Sequence, residues 1–150
     1  MHFHFLIEDK SGKKMLEHLV PKIIDADQNT FEVNSYEGIG HLPKKMTNPK
    51  TLKQQSLLND LQRILKGLGK TFAGYDSSYP ACVIVVCDLD DRCLAEFRTE
   101  LIHILTLCNP KPETRFCIAI EEGEAWLLGD QKAIRTAYPK VKKAILDRYT

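Results

Sequence analysis

No stretch of this chain approaches the roughly 20 consecutive apolar residues that span a bilayer, so nothing in it reads as a transmembrane helix. The opening residues, MHFHFLIED, lack a basic lead and a small-residue cleavage site, so they read as a strand and not as a secretion signal. Cysteine is present but poorly arranged for cross-linking or zinc. The five are Cys82, Cys87, Cys93, Cys108 and Cys117, an odd count with no C-x-x-C pair and no regularly spaced histidine pair nearby. Disulfide and zinc readings are therefore weak, and a reducing cytoplasm is the expected compartment. Glycine motifs fail as well. No G-x-G-x-x-G or G-x-S-x-G occurs, and KSGKK lacks the first glycine of a phosphate-binding loop because Ile7 stands in its place. A large net charge is also missing: the balance is +1, which points to no partner by itself.

What is there fits one soluble domain. At 150 residues and 43% hydrophobic content the chain is long enough to bury a core. It shows no internal repeat, low-complexity tract or interdomain linker. It stops inside a helical pattern, as a domain shorn of a C-terminal segment would.

Charge is unevenly distributed. From Gly38 to Tyr75 the chain carries Lys44, Lys45, Lys50, Lys53, Arg63, Lys66 and Lys70 against the single acid Asp60. From Asp76 to Glu100 the sign reverses, with Asp76, Asp88, Asp90, Asp91, Glu96 and Glu100 against Arg92 and Arg98. A basic section followed by an acidic one suits a metal site fed by a phosphate-binding surface; it suits a solvated helix face equally.

Hydrophobic periodicity predicts the elements. HFHFLIE, from His2 to Glu8, reads as a strand. Met15, Leu16, Leu19 and Ile23 recur at helical spacing behind Ser11, a candidate N-cap, and Pro21 should bend or end that helix. Phe31 to Tyr36 reads as a second strand, followed by a loop, GIGHLPKKMTNPK. Leu52, Leu57, Leu58, Leu61, Ile64, Leu65 and Leu68 share one helical face, with Gly67 and Gly69 at its expected frayed end. ACVIVVC, Ala81 to Cys87, is an uninterrupted apolar run, as in a strand buried on both faces of a parallel sheet. Leu94 to Leu105 predicts a helix closed by Asn109-Pro110, and Phe116 to Ile120 a fourth strand. EAWLL opens another helix, and Val141 to Tyr149 forms a last one. The alternation predicts an α/β domain with a mostly parallel four-stranded sheet and helices on both faces.

Ligands in such sheets bind beyond the carboxyl ends of the strands. There the sequence places Glu8 and Asp9, then Asp88, Asp90 and Asp91, then Glu121, Glu122 and Glu124. Side chains two apart in an extended segment point the same way, so Asp88 and Asp90 should project together. With Glu8 alongside, three like charges would repel unless a cation neutralised them. Hard oxygen ligands suit magnesium or manganese. Asp9 and Asp91 read more simply as helix caps, and spacing does not separate Glu121, Glu122 and Glu124. His2 and His4 alternate on one strand face and read as packing or solvent-facing residues. His41, beside Lys44 and Lys45, is a weak phosphate contact, and Trp126 reads as core.

The set FLIEDKSG, VVCDLDD and IAIEEGEAWLL resembles the TOPRIM (topoisomerase–primase) domain, most closely the family catalogued as domain of unknown function 4276. Glu8 matches that family's glutamate after the first strand. Asp88 and Asp90 match its D-x-D, and Glu124 to Leu128 match an E-A-W-L-L segment after the last core strand. Asp9 stands where glycine is common. No tyrosine is placed as a topoisomerase nucleophile, and there is no room for the second domain that would carry one. The resemblance therefore implies a nuclease of the overcoming-lysogenization type. In it Glu8, Asp88 and Asp90 hold Mg2+ or Mn2+, and Glu124 or Glu122 assists catalysis.

Nucleic acid, DNA or RNA, would lie along Lys44, Lys45, Lys50 and Lys53. Relatives of this kind imply an ATPase partner in phage defence, with self-association into a homo-oligomer also open and no membrane contact expected. The alternative from another class is a non-catalytic module docking on an ATPase; a phosphatase or nucleotidyl transferase is a weaker third. The expected docking surface is the C-terminal helix, with Val141, Ala144, Ile145 and Tyr149 on one side.

Overall fold

The computed structural model describes residues 1–36, 57–121 and 129–147. Its centre is a four-stranded sheet of β1 (His2–Ile7), β2 (Thr30–Ser35), β3 (Ala81–Asp88) and β4 (Thr114–Ala119), in the order β2-β1-β3-β4. Every pairing is parallel, with Ile7 opposite both Ser35 and Val86, and Asp88 opposite Ala119. The fold is α/β and Rossmann-like. All four strands are parallel, not merely most.

Alternation along β1 divides the core in two. Phe5 and Ile7 join Val33 and Val86 under α1 (Lys10–Leu19), which contributes Leu16, with Val20 in the short 3-10 turn that follows. Leu6, Val83, Val85 and Cys87 face the other way, onto α2 (Leu57–Phe72) and α3 (Leu94–Thr106). From α2 come Leu57, Leu58, Leu61 and Leu65, with Ile64 and Leu68 partly buried against them, as spacing predicts; Leu52 lies outside the described residues, and from α3 come Phe97, Leu101 and Leu105. Each such leucine contributes about 1.5–3 kcal/mol by leaving water.

The crossover through α1 lies on one face and those through α2 and α3 on the other. The chain therefore reverses direction between β1 and β3, which makes the carboxyl ends of those two strands the topological switch point.

Several local expectations change. The N-cap of α1 is Asp9, not Ser11, and its side chain accepts from the Gly12 amide at 2.7 Å. Ser11 lies within the helix, and its hydroxyl donates to the same carboxylate. Pro21 falls in the 3-10 turn Val20–Lys22 that ends α1, as expected. Helix α2 runs through Gly67 and Gly69 without fraying. Gly69 is required there by contact, because a Cβ would land on the Pro110 carbonyl oxygen.

Among the described residues, two short helices follow β4. The first, α4 (Gln131–Ala137), was not expected: it buries nothing and is fixed by Asp130, whose carboxylate caps the Ala133 amide at 2.9 Å. The second, α5 (Lys143–Leu146), is shorter than its apolar pattern. Leu146 is its buried residue, while Ala144 and Ile145 are exposed. Among the described residues no helix is long and apolar enough to cross a membrane.

Candidate metal centre

Strand β1 ends at Ile7, whose carbonyl accepts from the Tyr36 amide, and Glu8 is the next residue. Strand β3 ends at Asp88, and the following Leu89 amide donates to Ala119 at 2.8 Å. These two terminations put Glu8 and Asp88 side by side at the switch point. The Asp88 backbone amide donates to the Glu8 carboxyl, and the two carboxyl groups are near enough for each to act on the other's charge.

The electrostatic consequence is large. Burial and then the Asp88 charge push the Glu8 carboxyl up to about 7, with the Asp90 charge adding to the rise. The Asp88 backbone amide opposes this and loses. As a carboxylate, Glu8 keeps Oε2 buried with no donor to accept from. Carrying a proton, the same group can donate to Asp88. Behind the pair, burial pushes the Cys87 thiol up to about 12, and the charges of Glu8 and Asp88 contribute.

Asp90 is held differently from what strand alternation predicts. The strand stops at Asp88, Leu89 turns into the core, and Asp90 sits in the left-handed region at φ 51°. It reaches Glu8 through charge, and with Asp91, Ile120 and Glu121 it lines an open cavity of about 310 Å³. Asp91 is not the cap of α3, because the N-cap there is Cys93. Asp9, by contrast, caps α1 as read from sequence. Burial raises its carboxyl, but hydrogen bonds from Ser11 and Gly12 outweigh that and hold it below the usual range.

Glu122, Glu124, Trp126, His41, Lys44, Lys45, Lys50, Lys53 and Tyr149 lie outside the described residues. Of the basic section, Arg63, Lys66 and Lys70 follow one another along α2 and, with Gln62 and Gly67, line a second open cavity of about 400 Å³.

A divalent cation fits the carboxylate set. Magnesium takes one or two protein carboxylates directly and keeps several waters. Glu8 and Asp88 supply two such groups in contact, one with an orphaned buried oxygen. Asp90, Asp91 and Glu121 stand around an adjoining cavity, where they would act on retained water.

Sequence reasoning missed another cluster. Among the described residues, the group whose ligand atoms all lie within 4.8 Å of one another is His2, His4 and Glu32. The histidine alternation was visible in the sequence, but Glu32 joins them only through the β1–β2 register.

A scan of protein-family models, a search of curated proteins and a search of solved structures each found no match for this chain.

Proposed function

We propose that this chain is a TOPRIM-like, Mg2+- or Mn2+-dependent phosphodiester hydrolase, a nuclease whose centre is Glu8 with Asp88. The observation that carries the reading is the adjacent pair of carboxyl groups at the switch point, with Glu8 Oε2 buried and partnerless as a carboxylate. Structural acids seldom occur this way, because a half-buried like-charge pair costs stability without a proton or cation between them. The resemblance of FLIEDKSG and VVCDLDD to the TOPRIM motifs supports the same residues from another direction.

A divalent cation bound there would supply positive charge to a phosphate and lower the pKa of a water. The protein's own residues do the rest. Glu8, which without metal keeps its proton up to about 7, would give up that proton when the cation binds and hold the cation as a carboxylate, Oε2 having no other partner. Asp88 orients Glu8 through its amide and carboxyl. Asp90, Asp91 and Glu121 line an opening at the carboxyl edge, where a phosphodiester has access. Lys44, Lys45, Lys50 and Lys53 would hold nucleic acid, DNA or RNA, and Glu124 or Glu122 would assist.

The wider proposal is an effector of phage defence restrained by an ATPase partner in the cytoplasm. Its support is the resemblance, together with the exposed Ile145 on α5 and Tyr138 beside α4 as apolar contact points. The pairing of Glu8 with Asp88 favours catalysis over a purely docking role.

The test is incubation of the purified protein with plasmid, single-stranded DNA and transfer RNA, with and without manganese. Manganese-dependent cleavage of one substrate that disappears in Asp88→Asn is the expected result. Cleavage by both proteins alike, or by neither under any metal, contradicts the reading.

A further inference from the structure

At the opposite edge of the sheet from Glu8, the parallel register stacks polar side chains in a ladder. His2 stands opposite Thr30, His4 opposite Glu32, and Leu6 opposite Asn34. Residues two apart share a face, so His2, His4, Glu32 and Asn34 all project to the side covered by α2. We propose that His2, His4 and Glu32 form a second metal site, for a borderline divalent cation of the zinc class, independent of the carboxylate pair.

The distances are close to those that zinc requires. Tetrahedral zinc with bonds of roughly 2.0–2.1 Å places its ligand atoms about 3.4 Å apart. His4 Nδ1 lies 3.6 Å from Glu32 Oε2, and all three ligand atoms fall within 4.8 Å of one another. Closing the set takes side-chain rotation by about an ångström, with the strands unmoved. The residue types are chosen for zinc, not magnesium: two imidazoles and one carboxylate match a three-ligand zinc centre with one open position.

The surroundings fix the ligands as metal sites do. His2 Nδ1 bonds Thr30 Oγ1 at 2.8 Å, and that hydroxyl also bonds the Tyr79 hydroxyl at 2.8 Å. This sets the His2 ring and leaves its Nε2 for a cation. His4 is buried, and the Asn34 amide bridges its Nε2 at 3.1 Å and Glu32 Oε1 at 3.0 Å. Metal at His4 Nδ1 moves the ring proton to Nε2, and the Asn34 amide turns over so that its oxygen accepts it, while Glu32 gives up its bond from Asn34 as its carboxylate turns to the cation. No proton is lost in that exchange. The rings of Phe72 and Tyr75 pack at 6.1 and 6.2 Å from His2, and Phe72 at 6.2 Å from His4, walling the cluster on the α2 side.

None of the five cysteines is required. Cys82, the nearest in register, follows Ala81 and so projects to the other face from His2.

The experiment is zinc titration of the untagged full chain against a chromophoric chelator, with excess Mg2+ present to fill the carboxylate pair. One zinc per chain is expected, with Asp88→Asn equal to wild type. Affinity should drop at least tenfold in His2→Asn and in Glu32→Gln, both partly or fully exposed positions that leave the core intact. Asn34→Ala should lose affinity within the roughly 10–100-fold range of an outer partner. Cobalt substituted for zinc should give ligand-field bands without thiolate charge transfer, and should broaden the His2 and His4 ring resonances. Thiolate charge transfer, undiminished binding in His2→Asn and Glu32→Gln, or no zinc bound at all would overturn the proposal without touching the reading of Glu8 and Asp88.

Discussion

The Glu8 and Asp88 carboxyl groups stand side by side where β1 and β3 end, and burial first and the Asp88 charge second lift Glu8 to about 7. The pair exists because two parallel strands in register stop two residues apart: β1 ends at Ile7, which pairs with Val86, and β3 ends at Asp88, two residues beyond.

A raised carboxyl makes the metal-free fold sensitive to pH. Folded Glu8 binds its proton up to about 7, whereas the unfolded group releases it near the ordinary 4.5. Its contribution to stability is therefore complete below the unfolded value and is lost as pH rises through the folded one. In chelator, wild type should lose urea resistance relative to Glu8→Gln between about pH 5 and about pH 8. Parallel behaviour of the two proteins across that window would mean that Glu8 ionises freely.

The two glycines of α2 should respond in opposite directions. Gly67 faces open space, so Gly67→Ala should stabilise by about 0.5–1 kcal/mol through helix propensity. At Gly69 a Cβ meets the Pro110 carbonyl oxygen, so Gly69→Ala should lose that gain and destabilise by about 1–3 kcal/mol. Denaturant midpoints measure both, and equal shifts would deny the close approach.

Those glycines also mark where sequence reading ran out. Leucine spacing announced α2 and its buried face, but whether Gly69 frays a helix or admits a neighbouring loop depends on a residue 41 positions later, Pro110. Strand ends in carboxylates were legible for the same reason that α2 was: they follow local apolar runs. Asp90 was read by alternation, which holds only while the strand continues; its positive φ removes it from that pattern. Ser11 and Asp9 competed for one cap, and the carboxylate that accepts from Gly12 won. Helix α4 escaped because it buries no residue and so has no apolar stripe to read.

The basic section should carry salt-dependent binding. Replacing Lys44, Lys45, Lys50 and Lys53 together with alanine should weaken oligonucleotide binding. If each contacts a phosphate of a duplex, the slope of log K against log salt should fall by roughly 3 to 4. Unchanged affinity and slope would assign these lysines to solubility.

Manganese binding tests the centre before any substrate is known. A cation that takes the place of the shared proton must release it, so calorimetric titration below about pH 7, repeated in buffers of different ionisation enthalpy, reads both affinity and proton count. Wild type should bind manganese with release of about one proton, while Asp88→Asn should bind at least about tenfold more weakly and Glu8→Gln should release none. Equal manganese affinity in wild type, Asp88→Asn and Glu8→Gln would contradict the assignment of Glu8 and Asp88 as a metal centre.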